Sequence, residues 1–102
     1  MNTEVSSSYI DTDLPKKCIL TPREVEYLGL VALGFHNSQI AQILYVSFYT
    51  VKKTLEKIFD KLHAIDRASA VAIAFIHDIL SAKVLTRIVR TYEISTPFFV
   101  FL

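Results

Sequence analysis

Residues 37–62 read NSQIAQILYVSFYTVKKTLEKIFDKL. Two segments of helical periodicity meet here at a short turn, and the second opens with a serine and carries paired lysines. The first starts at Asn37, and Ile40, Ala41, Ile43 and Leu44 give it one inner face. Ala41 is small enough to let a neighbouring helix approach. Tyr45-Val46 makes the turn. Ser47 is placed to cap the second segment, because its hydroxyl can accept an otherwise orphaned N–H of the first turn. At about 100° per residue, Val51, Leu55, Ile58 and Leu62 fall within about 60° of one another, a narrow core stripe. The opposite face holds Tyr49, Lys52, Lys53, Glu56 and Asp60, with Lys57 at its flank. Two short helices joined by a tight turn, the second with a solvated cationic face, form a helix-turn-helix arrangement.

Upstream, Leu20-Thr21-Pro22-Arg23-Glu24 is a helix start. Thr21 is the N-cap, and Pro22 falls at the first helical position, where a missing N–H costs nothing. Glu24, three residues after the cap, completes a capping box. Val25, Leu28, Val31, Ala32 and Phe35 recur at helical spacing, and Gly34 is placed to end the helix in a left-handed cap. Downstream, Asp66 caps a fourth helix with Arg67 at its first position. Ala68, Val71, Ala74 and Phe75 form one apolar face, and Ile73, Ile76 and Leu80 another. A helix apolar on two faces is central or shared with a second chain. Val84, Leu85, Ile88 and Val89 fit a further helix or a continuation of the fourth. Pro97 then breaks the pattern before an apolar FFVFL end, which either packs back on the domain or pairs with another chain. Residues 1–19 are polar and unpatterned, and a disordered arm is expected there.

At 102 residues there is room for one domain and its tails. The hydrophobic fraction of 52% and mean hydropathy of +0.39 are high for a small soluble chain. That surplus points to a face buried against a partner. The net charge is only +1, so attraction to phosphate must come from a local patch. Residues 20–80 carry six basic and six acidic groups, whereas residues 81–102 carry three basic and one acidic. The apolar run Val71–Ile76 is far short of the roughly 20 residues a membrane span needs. The N-terminus lacks the pattern of a secretory signal, so a cytoplasmic location is expected. A single cysteine, Cys18, excludes an internal disulfide. His36, His63 and His77 have no metal-ligand spacing, and no nucleophile constellation, paired-carboxylate site or phosphate loop is visible. No enzyme activity, metal or cofactor is expected.

The pattern Leu20-Thr21-x-Arg23-Glu24, Gly34, Ile40-Ala41, Leu44, Ser47, Thr50-Val51-Lys52, Lys61-Leu62 and Arg67 resembles the DNA-binding domain of LuxR/GerE-type regulators, the group that includes NarL-like output domains. The resemblance covers residues 20–80, about three-fifths of the chain. It implies an all-α fold: a four-helix helix-turn-helix domain, here with an additional C-terminal helix or tail over 81–102. It also implies a sequence-specific DNA-binding transcriptional regulator that acts as a homodimer on double-stranded DNA, with the third helix in the major groove. Carried over by position, Lys52, Lys53 and Glu56 face base edges or nearby phosphates. Ser47, Tyr49 and Thr50 meet the backbone, and Lys57 and Lys61 lie along the strand. Ile73, Ile76 and Leu80 are expected either as core against a C-terminal helix or as the dimer seam.

Several positions depart from the family pattern. Glu56 and Asp60 stand where relatives carry neutral or basic residues. Facing a phosphate, each repels; facing a cytosine N4 amino group, Glu56 accepts a hydrogen bond. Ser38 replaces a common lysine and Phe48 a common polar residue. Asp78 stands where a glycine often ends the fourth helix, which leaves that helix open to running on. Glu24 is expected to pair with Arg67 across the domain. No receiver or ligand-sensing domain fits in the 19 residues before the first helix, so a stand-alone regulator is expected. The alternative is a protein-interaction module of the same fold that binds another regulator or RNA polymerase with little DNA binding. Region four of a sigma factor shares the helix-turn-helix, but the Lys61-Leu62 to Arg67 spacing favours the LuxR type.

Overall fold

The computed structural model describes residues 19–95. The arm expected over 1–19, except Ile19, and the apolar run 97–102 lie outside them. Five α-helices follow one another: α1 (Pro22–Ala32), α2 (Asn37–Leu44), α3 (Phe48–Lys61), α4 (Arg67–Ile76) and α5 (Ala82–Thr91). No strand occurs among the described residues.

Four of the five starts follow from a capping side chain. Thr21 Oγ1 accepts the Glu24 N–H at 3.1 Å, and Glu24 Oε1 accepts the Thr21 N–H at 2.9 Å, so the expected capping box forms behind Pro22. Ser47 Oγ accepts the Thr50 N–H at 3.0 Å. Asp66 Oδ1 accepts the Ser69 N–H at 2.8 Å, and the Asp66 N–H donates to Ser69 Oγ at 3.2 Å. Ser81 Oγ accepts the Val84 N–H at 3.2 Å.

Each end turns through one left-handed residue. After α1 it is Gly34, at φ +96°, as its position in the sequence indicates. After the other four helices it is Tyr45, His63, Asp78 and Glu93, with φ between 53° and 59°. α4 therefore does not run on. Asp78 adopts the turn a glycine would make, because a short polar side chain tolerates that region. Ile79 and Leu80 then donate back to the Ala74 carbonyl at 2.8 and 3.1 Å. This closes α4 and leaves residues 82–91 to form a separate helix, which decides between the two options open from the sequence.

The core stripe of α3 is as expected: Val51, Leu55, Ile58 and Leu62 are all buried. The central element is α1, not α4. It packs against all four other helices, and it buries Tyr27, Leu28, Leu30 and Val31, residues from more than one face. α5 covers one of those faces. Gly29 of α1 lets the Ile88 side chain come so close that an added Cβ would collide with Ile88 Cδ1. Burying Ile88 and its neighbour Val89 contributes about 1.5–3 kcal/mol per side chain.

Two long-range expectations are corrected. Glu24 pairs with Lys61, not Arg67. Arg67 instead donates to Asn37 Oδ1 at 2.8 Å and to the Phe35 carbonyl at 2.9 Å, tying the start of α4 to the α1–α2 connection. The expected seam of Ile73, Ile76 and Leu80 also breaks up. Leu80 is buried in the core and Ile73 packs against it, while Ile76 stays exposed beside Phe75. The turn at Asp78 is the cause, because it swings Leu80 inward.

Candidate nucleic-acid interface

The burial of one stripe of α3 dictates what the other side offers. Tyr49, Lys52, Lys53, Glu56, Lys57 and Asp60 are all exposed. Among the described residues Lys52 makes no hydrogen bond or ion pair, so its ammonium is free to meet a ligand. Lys53 lies 3.5 Å from Glu56 Oε1 and 5.8 Å from the centre of the Tyr49 ring. Both members of that ion pair are more than half exposed, and water or a competing anion separates such pairs at little cost.

The start of α3 is open to solvent. Its first turn carries no acidic residue, so its free N–H groups and positive end of the dipole face outward uncompensated. Ser47 is occupied with capping, and its hydroxyl donates to Thr50 Oγ1 at 3.0 Å. Tyr45, in the turn before it, is 94% exposed, and Phe48 and Tyr49 are also exposed. A cationic face and an aromatic rim therefore meet at the N-terminal half of α3.

Lys61 does not belong to this face. Its Nζ donates to Glu24 Oε1 at 2.8 Å and to Oε2 at 3.0 Å. Burial pushes the Glu24 carboxyl up. The Lys61 hydrogen bond, the Thr21 N–H and the charges of Lys61 and Lys57 outweigh it and hold the group below its ordinary value. Lys61 thus locks the end of α3 to the start of α1.

Arg23 supports the turn from behind, a role its place in the helix-start motif did not reveal. Its guanidinium donates to the Leu44 carbonyl at 3.3 Å, to the Tyr92 hydroxyl at 3.1 Å and to Glu26 at 3.1 Å. Tyr92 in turn donates to Glu26 at 2.7 Å. Burial, then the hydrogen bond to Glu26 and its charge, raise the Tyr92 phenol above its ordinary value, against a smaller opposing effect of Arg23. The last carbonyl of α2 and the end of α5 are therefore held by one side chain of α1. The spacing of Arg23 from Glu26 was visible in sequence, but Tyr92, 69 residues away, was not. No group of three potential metal ligands gathers among the described residues, and none of their helices is long and apolar enough to cross a membrane.

Residues 18–74 match the family of bacterial regulatory proteins named luxR, or GerE. The response regulator proteins VraR of Staphylococcus aureus strain Mu3, Staphylococcus saprophyticus and Staphylococcus epidermidis are each 40% identical to the chain over 62 residues. That stretch is 61% of this chain and 30% of each relative, so the chain spans under a third of their length. No solved structure matches it.

Proposed function

The chain belongs to the luxR family of bacterial regulatory proteins, and from that premise we propose that it binds double-stranded DNA in a sequence-specific way, as a transcriptional regulator that reads the major groove with α3. The observation that carries this is the two-sided division of α3: one stripe fully in the core, the other presenting an unpaired Lys52 beside Lys53 and an open helix start. A groove of about 12 Å admits a helix, and lysine ammonium groups donate to guanine O6 and N7 or to phosphate. In this reading Lys52, Lys53 and Glu56 face base edges. Ser47, Tyr49 and Thr50 approach phosphate and sugar, and Lys57 lies along the strand. Lys61 contributes by fixing the helix. A homodimer would place two such helices on a two-fold-related site, with exposed Phe75 and Ile76 of α4 as its apolar contact.

The test is a salt-titrated mobility shift on genomic fragments, followed by sequencing of the bound DNA. The expected result is affinity that falls steeply with salt and a recurring bound sequence. Lys52→Ala should weaken binding by about 5- to 150-fold, the equivalent of about 1–3 kcal/mol for a good base contact. A second reading, a module that binds a protein and barely touches DNA, is favoured by the Lys53–Glu56 pair and by Asp60, which neutralise much of the face. Absent DNA binding together with a stable complex to a regulator or RNA polymerase would decide for it.

A further inference from the structure

α5 lies beyond the family match, which ends at residue 74, and carries a feature the groove reading does not use. Its ten residues, AKVLTRIVRT, contain three cations and no acid. At about 100° per residue Lys83, Arg87 and Arg90 fall within about 60° of one another, on the side opposite buried Ile88 and Val89. All three are exposed. Together with Thr86 and Thr91 they line one shallow hollow. Among the described residues no carboxylate forms an ion pair with them. Glu26, which borders a neighbouring cavity together with Arg87, is already held by Arg23 and Tyr92.

The position of this stripe selects its ligand. Thr91, Tyr92 and Glu93 at the end of α5 share a surface depression with Gln42, Ile43 and Tyr45. Tyr45 is the exposed turn that leads into the start of α3, the end that would meet the duplex. Arg23 fixes the relation by bonding both Leu44 and Tyr92. Thr91 borders both this depression and the hollow of the stripe, so the Arg90 end of the stripe is the one nearest the turn that leads into α3. From Lys83 to Arg90 the stripe extends about 10 Å at 1.5 Å per residue, close to the axial rise of three phosphate-to-phosphate steps along one strand at about 3.4 Å each.

We infer that α5 is a backbone clamp: Lys83, Arg87 and Arg90 bind neighbouring phosphates of one strand of the duplex, just outside the stretch read by α3. The inference rests on the reading of α3 as the groove helix. Phosphate contacts carry no base information, so the clamp adds affinity and salt dependence but not preference.

The experiment measures fluorescence anisotropy of the full chain on a duplex selected from random-sequence DNA, across a series of salt concentrations. The triple variant Lys83→Gln/Arg87→Gln/Arg90→Gln should reduce the magnitude of the slope of log K against log salt by about 2–3 per protomer, at about 0.9 per phosphate released. It should weaken all sequences alike. Arg87→Lys/Arg90→Lys should keep the parental slope. Trimming the duplex to remove the flanks should abolish the difference between parent and triple variant. An unchanged slope in the triple variant, with Lys52→Gln still losing binding, overturns the clamp while leaving the groove reading intact; the stripe would then serve an acidic protein. If Lys52→Gln leaves binding and preference untouched, the groove reading itself fails, and the clamp with it.

Discussion

Lys61 Nζ sits between the two carboxylate oxygens of Glu24, at 2.8 and 3.0 Å, and so joins the last turn of α3 to the first turn of α1. Glu24 is a capping residue and an ion-pair partner at once, with its side chain only 8% exposed. Removal of the lysine strands a buried charge. Lys61→Met should lower stability by about 1.5–3 kcal/mol, the usual worth of a hydrogen bond to a charged group. In urea unfolding, the double variant with Glu24→Gln should lose less than the sum of the single losses. Additive losses would show that the pair contributes nothing of its own.

The same carboxylate fixes the response to acid. Its pKa is lowered by folding, so in the unfolded chain it binds a proton more readily than in the folded one. Its contribution is therefore complete above the ordinary carboxylate value of the unfolded chain and fades as pH falls through the lowered folded value. Thermal melts from neutral pH downward should show stability dropping below the ordinary carboxylate range, with a shallower drop in Glu24→Gln. An identical acid limb in that variant would place the sensitivity elsewhere.

What could be read from the sequence divides along local and non-local lines. Helix starts were legible because Thr21, Ser47 and Asp66 act on N–H groups three residues away. Helix ends were less so. Only Gly34 advertises its turn, whereas Tyr45, His63, Asp78 and Glu93 take the same left-handed conformation with side chains that give no such signal. The position of Leu80 followed from the turn at Asp78, so the expected seam on α4 included a core residue. The partner of Glu24 depended on which cation lay across the fold, and Arg67 was already engaged by Asn37 and the Phe35 carbonyl. The cationic face of α3 was legible as soon as Val51, Leu55, Ile58 and Leu62 were assigned to the core, but Lys61 could not be separated from it by periodicity.

The seat of α5 depends on a hydrogen atom at position 29. Gly29→Ala would gain about 0.5–1 kcal/mol of helix preference but drive its Cβ into Ile88 Cδ1, an overpacking that costs about 1–3 kcal/mol. The colliding atom ends a flexible side chain, so the net loss should be modest. The diagnostic is its reversal. Ile88→Val should destabilise the parent by about 0.5–1.5 kcal/mol but stabilise the Gly29→Ala background, because it deletes the colliding methyl. Chemical unfolding of the four proteins measures this, and Ile88→Val losses of equal size in both backgrounds would refute the close contact as the reason for glycine.

Phe75 and Ile76 stand 41% and 59% exposed at the end of α4, while Leu80, one turn onward, is 1% exposed. The two kinds of apolar residue should answer differently to substitution. Leu80→Ala removes core volume and should cost about 2–5 kcal/mol of stability. Ile76→Glu removes no buried contact within the protomer, so its melting temperature should stay close to that of the parent. If the α4 face joins two protomers, a carboxylate placed there must be desolvated on association. Self-association should then weaken by at least tenfold, or about 1.4 kcal/mol. Sedimentation velocity over a concentration series separates the two effects. Parental self-association in Ile76→Glu, or a parent that stays monomeric throughout, would remove α4 as the dimer contact and leave the exposed pair for another protein.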